Sequence, residues 1–235
     1  MRSRTDLRFI PLFAFIFLPF FSYGQLAVEI GGFAGISEYQ GDLAENNIEL
    51  GETLLSKGLF VRFFVSDIIS LKASYYNGKI SGDDKNANDL ALRSRGWSFD
   101  ATVNELSLIG EINVLGTTRY YSSRYFKPSF SPIIFAGIGV AHADANLHFA
   151  NPNSNGFLKV PFPEPGDTNT FFVVPVGVGF RLDATRHATL GLELGWRAVF
   201  SDYLDGVSKN GRRSKDDWYS FVGINIAVFF GQSLY

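Results

Sequence analysis

Apolar residues recur at every second position through most of this chain. Leu26, Val28, Ile30 and Ile36 share one parity, and Glu29 and Phe33 the other. Leu59, Val61, Phe63 and Val65 share a face opposed by Arg62 and Phe64. Leu71, Ala73 and Tyr75 alternate with Lys72, Ser74 and Tyr76, and Leu106, Leu108, Ile112 and Val114 with Glu105, Ser107, Glu111 and Asn113. The same rhythm runs through Ile134–Val140, Phe172–Leu182, Leu190–Trp196 and Val222–Phe230. Side chains of a strand point to opposite faces in turn, so a period of two predicts strands. Eight such segments are present, each expected to be about ten residues or a little longer, close to the ~9–11 that cross a bilayer at a tilt.

Alternation alone leaves two all-β arrangements open. In a soluble sandwich or barrel the uniformly apolar face packs inward, whereas in a membrane barrel it faces lipid and the mixed face fills the lumen. Connection lengths separate them. The stretches Tyr39–Ser56, Ser81–Thr102, Ala143–Thr170 and Ser201–Asp217 are long and polar, and the third carries Pro152, Pro161, Pro163 and Pro165. Between them lie the tight Ser66–Ile69 and Asp183–His187 and the intermediate Gly116–Lys127. Long and short connections alternate in this way in outer-membrane barrels. The expectation is therefore a closed antiparallel transmembrane β-barrel of about eight strands, with long outer loops and short periplasmic turns, in the outer membrane of a Gram-negative bacterium. Aromatic girdles are expected from Tyr120, Tyr121, Tyr125 and Phe126 at the inner rim and from Phe200, Tyr203, Trp218 and Tyr219 at the outer rim.

The first residues carry a different signal. Arg2, Arg4 and Arg8 precede an apolar run from Phe9 to Phe21, followed by Ser22, Tyr23 and Gly24. The run is too short to span a bilayer as a helix and matches a secretory signal peptide. Residues 1–24 are thus assigned to the signal peptide and 25–235 to the barrel domain.

Composition narrows the chemistry. A net charge of −2 with no basic stripe gives no nucleic-acid signal. The chain has no cysteine, which excludes disulfides, thiolate metal sites and a lipid anchor on an N-terminal cysteine. Aromatics at 16% and 24 glycines suit a narrow barrel in contact with lipid. In a barrel of about eight strands the lumen just holds side chains. Glu29, Arg62, Lys72, Glu105, Glu111, Arg181, Glu193 and Arg197 all fall on the mixed parity, with both signs present. They are expected to pair as a lumen ion network that plugs the barrel, because an unpaired buried charge is costly.

No catalytic constellation stands out, and neither cofactor nor metal is expected. His142, Asp144 and His148 are spaced too loosely for a defined metal site and read as solvated loop residues. Asp83–Asp84 and Asp216–Asp217 lack the rest of a calcium loop. Gly137–Ile138–Gly139 and Gly177–Val178–Gly179 lie inside strands and are not phosphate loops. Asp202–Tyr203–Leu204–Asp205 reads as a capped outer loop before the last strand.

Several segments resemble a family of small outer-membrane barrels. They are Glu29–Ile30–Gly31–Gly32, Tyr39–Gln40–Gly41–Asp42–Leu43, Ile80–Ser81–Gly82–Asp83–Asp84 and Phe135–Ala136–Gly137–Ile138–Gly139–Val140. Gly195–Trp196–Arg197, Asp202–Tyr203–Leu204–Asp205–Gly206–Val207–Ser208 and Asp217–Trp218–Tyr219 complete the series in order. That family includes the barrel subunit of the type IX secretion and gliding machinery. The resemblance implies a barrel docked to periplasmic lipoprotein and ring subunits, with no catalytic residues to carry over. The docking site expected here is Arg119, Tyr120, Tyr121, Arg124, Tyr125, Phe126 and Lys127, since that stretch is longer than a turn needs and mixes cations with aromatics. The reading is a non-enzymatic scaffold of a protein secretion machinery, with outer-membrane lipids around it. The alternatives are a small-molecule channel or receptor and a lipid-modifying enzyme. The last strand has two candidate terminal aromatics, Phe230 and Tyr235.

Overall fold

The computed structural model of the chain describes residues 27–40, 54–84, 96–116, 126–149, 169–200 and 218–230. These form eight strands: β1 (Ala27–Gln40), β2 (Leu54–Phe64), β3 (Ile69–Asp83), β4 (Trp97–Asn113), β5 (Ser129–Phe149), β6 (Thr170–Asp183), β7 (Ala188–Val199) and β8 (Trp218–Phe230). Each pairs antiparallel with its neighbour in sequence, and β1 pairs with β8 to close the barrel. The closing register runs from Val28↔Phe230 to Gln40↔Trp218. Closure removes every unpaired strand edge, which lipid could not hydrate. Phe230 is the last strand residue, whereas Tyr235 lies outside the described residues.

Two turns at one end use the same device. Val65 N and Ser66 N donate to Ile69 O, and Ser66 Oγ accepts from Ile68 N and Ile69 N. Between β6 and β7, Ala184 N and Thr185 N donate to Ala188 O, and Thr185 Oγ1 accepts from His187 N and Ala188 N. A short hydroxyl side chain thus satisfies backbone donors that a tight turn would otherwise leave bare. The end of β4 is turned by Gly116, whose φ of 60° suits a residue without Cβ.

Side-chain polarity follows the membrane arrangement through the lower part of the wall. Leu106, Ile138, Phe180, Leu192 and Ile226 point outward and are exposed, while Glu29, Lys72, Glu105 and Arg197 are fully buried inside. In water such an exterior would be unstable, and in hydrocarbon it is the preferred surface.

Strand length is where the structure departs from the expectation of about ten residues. β3, β4 and β5 have 15, 17 and 21 residues. They run past the lipid belt into what the sequence suggested were loops, so Ser98–Thr102 and Ala143–Phe149 are strand. The polarity of the faces inverts at the same level. On β4 the outward series Ile112, Leu108, Leu106 gives way to Asn104, Thr102 and Asp100, while inward Glu111, Ser107 and Glu105 give way to Val103, Ala101 and Phe99. Tyr75, Leu106 and Val140 share one row of the register, and Asn77, Asn104 and His142 share the next row up. Above that row the β3–β5 wall has polar side chains outside and an apolar core inside, as the wall of a soluble barrel does. The rule of greasy outside and ionic inside therefore holds only over the lipid-facing part of the wall.

Candidate functional site

Among the described residues the lumen is filled in two layers of different chemistry. The lower layer is ionic. Arg62 donates from Nε and Nη2 to the two Glu111 oxygens at 2.6 and 3.1 Å, and from Nη1 to Glu29. Glu29 also accepts from Thr189 Oγ1, and Glu111 from Ser70 Oγ at 2.9 Å. Lys72 Nζ lies 3.4 Å from Glu111 and donates to Glu193 at 2.7 Å. Glu193 further accepts from Tyr76 OH at 2.8 Å and Asn225 Nδ2 at 2.9 Å. Arg197 stands 3.9 Å from Glu193 and donates to Glu105 at 3.2 Å. Glu105 accepts from Tyr219 OH at 2.7 Å. Glu29, Arg62, Glu111, Lys72, Glu193, Arg197 and Glu105 thus form one chain of alternating sign from wall to wall. Arg181, the eighth residue expected there, faces the same lumen beside Asp183 at 3.9 Å, its guanidinium 5.0 Å from the centre of the Phe64 ring.

The strands place these groups by parity. Lys72, Ser74 and Tyr76 of β3 point inward in succession, as do Glu105, Ser107, Ile109 and Glu111 of β4. Room for long side chains comes from glycine on the walls between them. A Cβ on Gly177 would sit 2.4 Å from Phe135 Cζ, and one on its register partner Gly195 would sit 2.9 Å from the same atom. Phe135 in turn lies beneath the Lys72 ammonium, which is 5.3 Å from its ring centre. A void of about 20 Å³ is left among Arg62, Glu111, Arg181, Glu193 and Asn225, enough for one water molecule.

The upper layer is aromatic. Phe33 meets Tyr76 edge-on at 5.1 Å, Tyr76 lies 5.2 Å from Phe221, and Tyr39 meets Phe99 at 4.8 Å. Trp97, Ile80, Val103, Phe171, Val173 and Val199 complete this core. Arg197 joins the layers, its guanidinium 5.1 Å from the Tyr76 ring and 4.6 Å from that of Phe221. Sequence reasoning placed the ions, with Tyr76 and Asn225 on the same inward parity, but gave no bonding role to Ser70, Tyr76, Thr189 or Asn225. It also missed the aromatic layer, whose signal was the change of hydrophobic parity between Asn104 and Leu106.

Three further expectations change. Tyr219, expected in the outer girdle, is buried in the lumen, because its odd position on β8 points inward to Glu105. Phe200 and Trp218 do face outward, and Phe200 packs on Phe172 at 5.8 Å. At the inner boundary, Phe130 stacks on Phe180 at 5.5 Å. His142, Asp144 and His148 lie on the outward face of β5 rather than in a loop. His142 lies 3.3 Å from Asp144 and 3.0 Å from Thr170 Oγ1, whereas His148 Nε2 lies 2.6 Å from Asp100. The order Thr170, His142, Asp144 is that of a hydroxyl, an imidazole and a carboxylate, but every member is solvent-exposed. The buried carboxylate that fixes the base in hydrolytic triads has no counterpart there. Among the described residues no group of His, Asp and Glu is arranged to hold a metal. Asp84 is fully buried, so it does not offer an open carboxylate, and it accepts from Trp97 N at 3.0 Å. The signal segment, residues 119–125 of the docking stretch, Asp202–Asp205, Tyr203 and Asp216–Asp217 lie outside the described residues. Phe126 and Lys127 lie just before β5, with Lys127 exposed.

A closed eight-stranded antiparallel barrel with an aliphatic belt and an ionic lumen is an outer-membrane β-barrel. Its fold is shared with neisserial surface protein A, at a TM-score of 0.51 and 10% identity over 87% of this chain and 99% of that one. Ail of Yersinia pestis is similar at a TM-score of 0.44 and 8% identity, covering 88% and 99% of the two chains. OprG of Pseudomonas aeruginosa is similar at 0.42 and 11%, covering 87% and 97%. The chain belongs to the family described as Domain of unknown function (DUF6089), which it matches over residues 8–234. No curated protein matches it.

Proposed function

We propose that the protein is a non-enzymatic scaffold of the outer membrane that anchors periplasmic subunits of a type IX-like secretion machinery at its inner rim. The observation that carries this reading is the filled lumen. A continuous ion chain occupies the lower layer and an aromatic core the upper. A barrel whose described lumen is packed with side chains acts through its surfaces, and the rims are the surfaces that other proteins reach. The resemblance of the strand and loop motifs to the secretion-barrel family supports periplasmic lipoprotein and ring subunits as the class of partner. The cations and aromatics of residues 119–127 supply the docking chemistry.

Replacing residues 119–127 by a tight turn tests it. The variant is expected to keep the heat-modifiable gel mobility of a folded barrel and to lose its periplasmic partners on affinity purification from solubilised outer membranes. Partners recovered at wild-type yield would refute docking at this rim. Recovery of no periplasmic protein by the unaltered chain would refute the scaffold reading itself.

A further inference from the structure

The wall formed by β3, β4 and β5 turns polar in a single step, directly above the lipid-facing row Tyr75, Leu106 and Val140. It continues upward through Lys79, Thr102 and Asp144, then through Ser81, Asp100 and Asn146, without an outward apolar side chain. This wall is continuous with the bilayer contact, so the chemistry that abuts it is that of the outer-leaflet head groups. In a Gram-negative outer membrane those are lipid-linked sugars.

The wall's own chemistry selects among occupants. Lys79 is accompanied by Asp83, Asp100 and Asp144, so the patch lacks the cationic excess that a polyphosphate would need. Nor does it hold the apolar or aromatic anchor at the centre of a protein interface. What it offers is carboxylates and amides held in fixed directions. Asp100 is tied to His148 at 2.6 Å and to Asn146 at 3.4 Å. Asn104 Oδ1 accepts from Tyr75 OH and from Asn77 Nδ2, both at 2.8 Å, which fixes the amide and leaves its Nδ2 to donate. Preset acceptors and donors on a flat strand wall suit vicinal hydroxyl groups. We propose that this wall binds the saccharide portion of outer-leaflet glycolipids through Asp100, Asn104 and Asp144. The proposal depends on the membrane placement of the barrel and not on docking at the inner rim.

The test is native mass spectrometry of the full-length protein in detergent, with equimolar lipooligosaccharide and lipid A without core sugars. The wild type is expected to retain the sugar-bearing lipid about tenfold over lipid A, equivalent to about one hydrogen bond to a charged group. The combined variant Asp100→Ala, Asn104→Ala, Asp144→Ala is expected to retain both equally. If that variant does not fold, Asp144→Ala alone serves, since its side chain is 65% exposed and a loss of about threefold is expected. Equal retention by the wild type overturns the proposal, as does an undiminished preference in the folded variant. Loss of the preference on enzymatic removal of core phosphates also overturns it, by assigning the contact to phosphate.

Discussion

Glu193→Leu removes the node that holds the lumen network together. Its carboxylate accepts from Lys72 at 2.7 Å, Tyr76 at 2.8 Å and Asn225 at 2.9 Å, and it faces Arg197 at 3.9 Å. Without it, Lys72 keeps only Glu111 at 3.4 Å as a carboxylate partner, and both groups are almost wholly shielded from solvent. Breaking one side of a buried ion pair costs about 3–5 kcal/mol, and each stranded buried donor adds about 1–3 kcal/mol where nothing replaces its partner. These are not additive, because Arg197 retains Glu105 and the void beside Glu193 admits a water molecule. A loss of about 4 kcal/mol is expected, roughly a thousandfold in the unfolding equilibrium. Reversible guanidinium unfolding of the protein in phospholipid vesicles, followed by tryptophan fluorescence, gives this number directly. Lys72→Met on top of Glu193→Leu is expected to recover half or more of the loss, since the stranded ammonium goes with its partner. A single-variant loss below about 1 kcal/mol would refute an interlocked lumen, and so would a double variant worse than the sum of its singles.

Other consequences are as specific. Gly177→Val is expected to destabilise the barrel by at least ~2 kcal/mol in the same assay, because a Cβ there would meet both Phe135 and the Leu194 carbonyl. Ile138→Arg, on the lipid belt, is expected to cost about 2–4 kcal/mol, while Asn146→Arg, two rows above the polarity switch, is expected to fall within ~0.5 kcal/mol of wild type. The hydrogen bond from His148, joined by one from Asn146, holds the Asp100 carboxyl below its ordinary range. Its contribution is therefore present above the ordinary carboxylate range and is lost as pH falls through the lowered value. Carboxyl carbon NMR of labelled protein should show that low midpoint, and His148→Ala should return it upward. Thr170→Ala is expected to leave lipid A masses of the producing strain unchanged, and a new acylated species there would contradict the non-enzymatic reading.

The strand count, the closing parity and the lumen charges were legible because lipid imposes a period-two pattern with no exceptions along the belt. Arg62 and Glu111 announce themselves as ions on an otherwise mixed face opposite Leu59 and Leu108, and the alternation of long and short connections assigned that face to a closed lumen. The stretch Trp97–Val103 was not legible in the same way. There the hydrophobic phase matches a soluble barrel, so a rule tuned to lipid read Ser98, Asp100 and Thr102 as loop. Tyr219 was misplaced for a related reason. Aromatic content marks an interface only when the residue's parity is outward, and one position separates Trp218 from its inward neighbour. Partner groups such as Thr189 and Asn225 carry no sequence mark, since what makes them functional is a carboxylate more than thirty residues away in the chain.

The pairing of β1 with β8 sets the order of events when the barrel forms. Lys72 and Glu193 come from β3 and β7, and Glu105 and Arg197 from β4 and β7, so these two pairs meet only across the assembled cylinder, unlike Glu29 and Arg62 on the neighbouring strands β1 and β2. An unsealed sheet would carry those ions naked into hydrocarbon. Zipping the final seam and completing those two cross-lumen pairs are consequently one event, and insertion must keep the nascent ribbon hydrated until its two ends find each other.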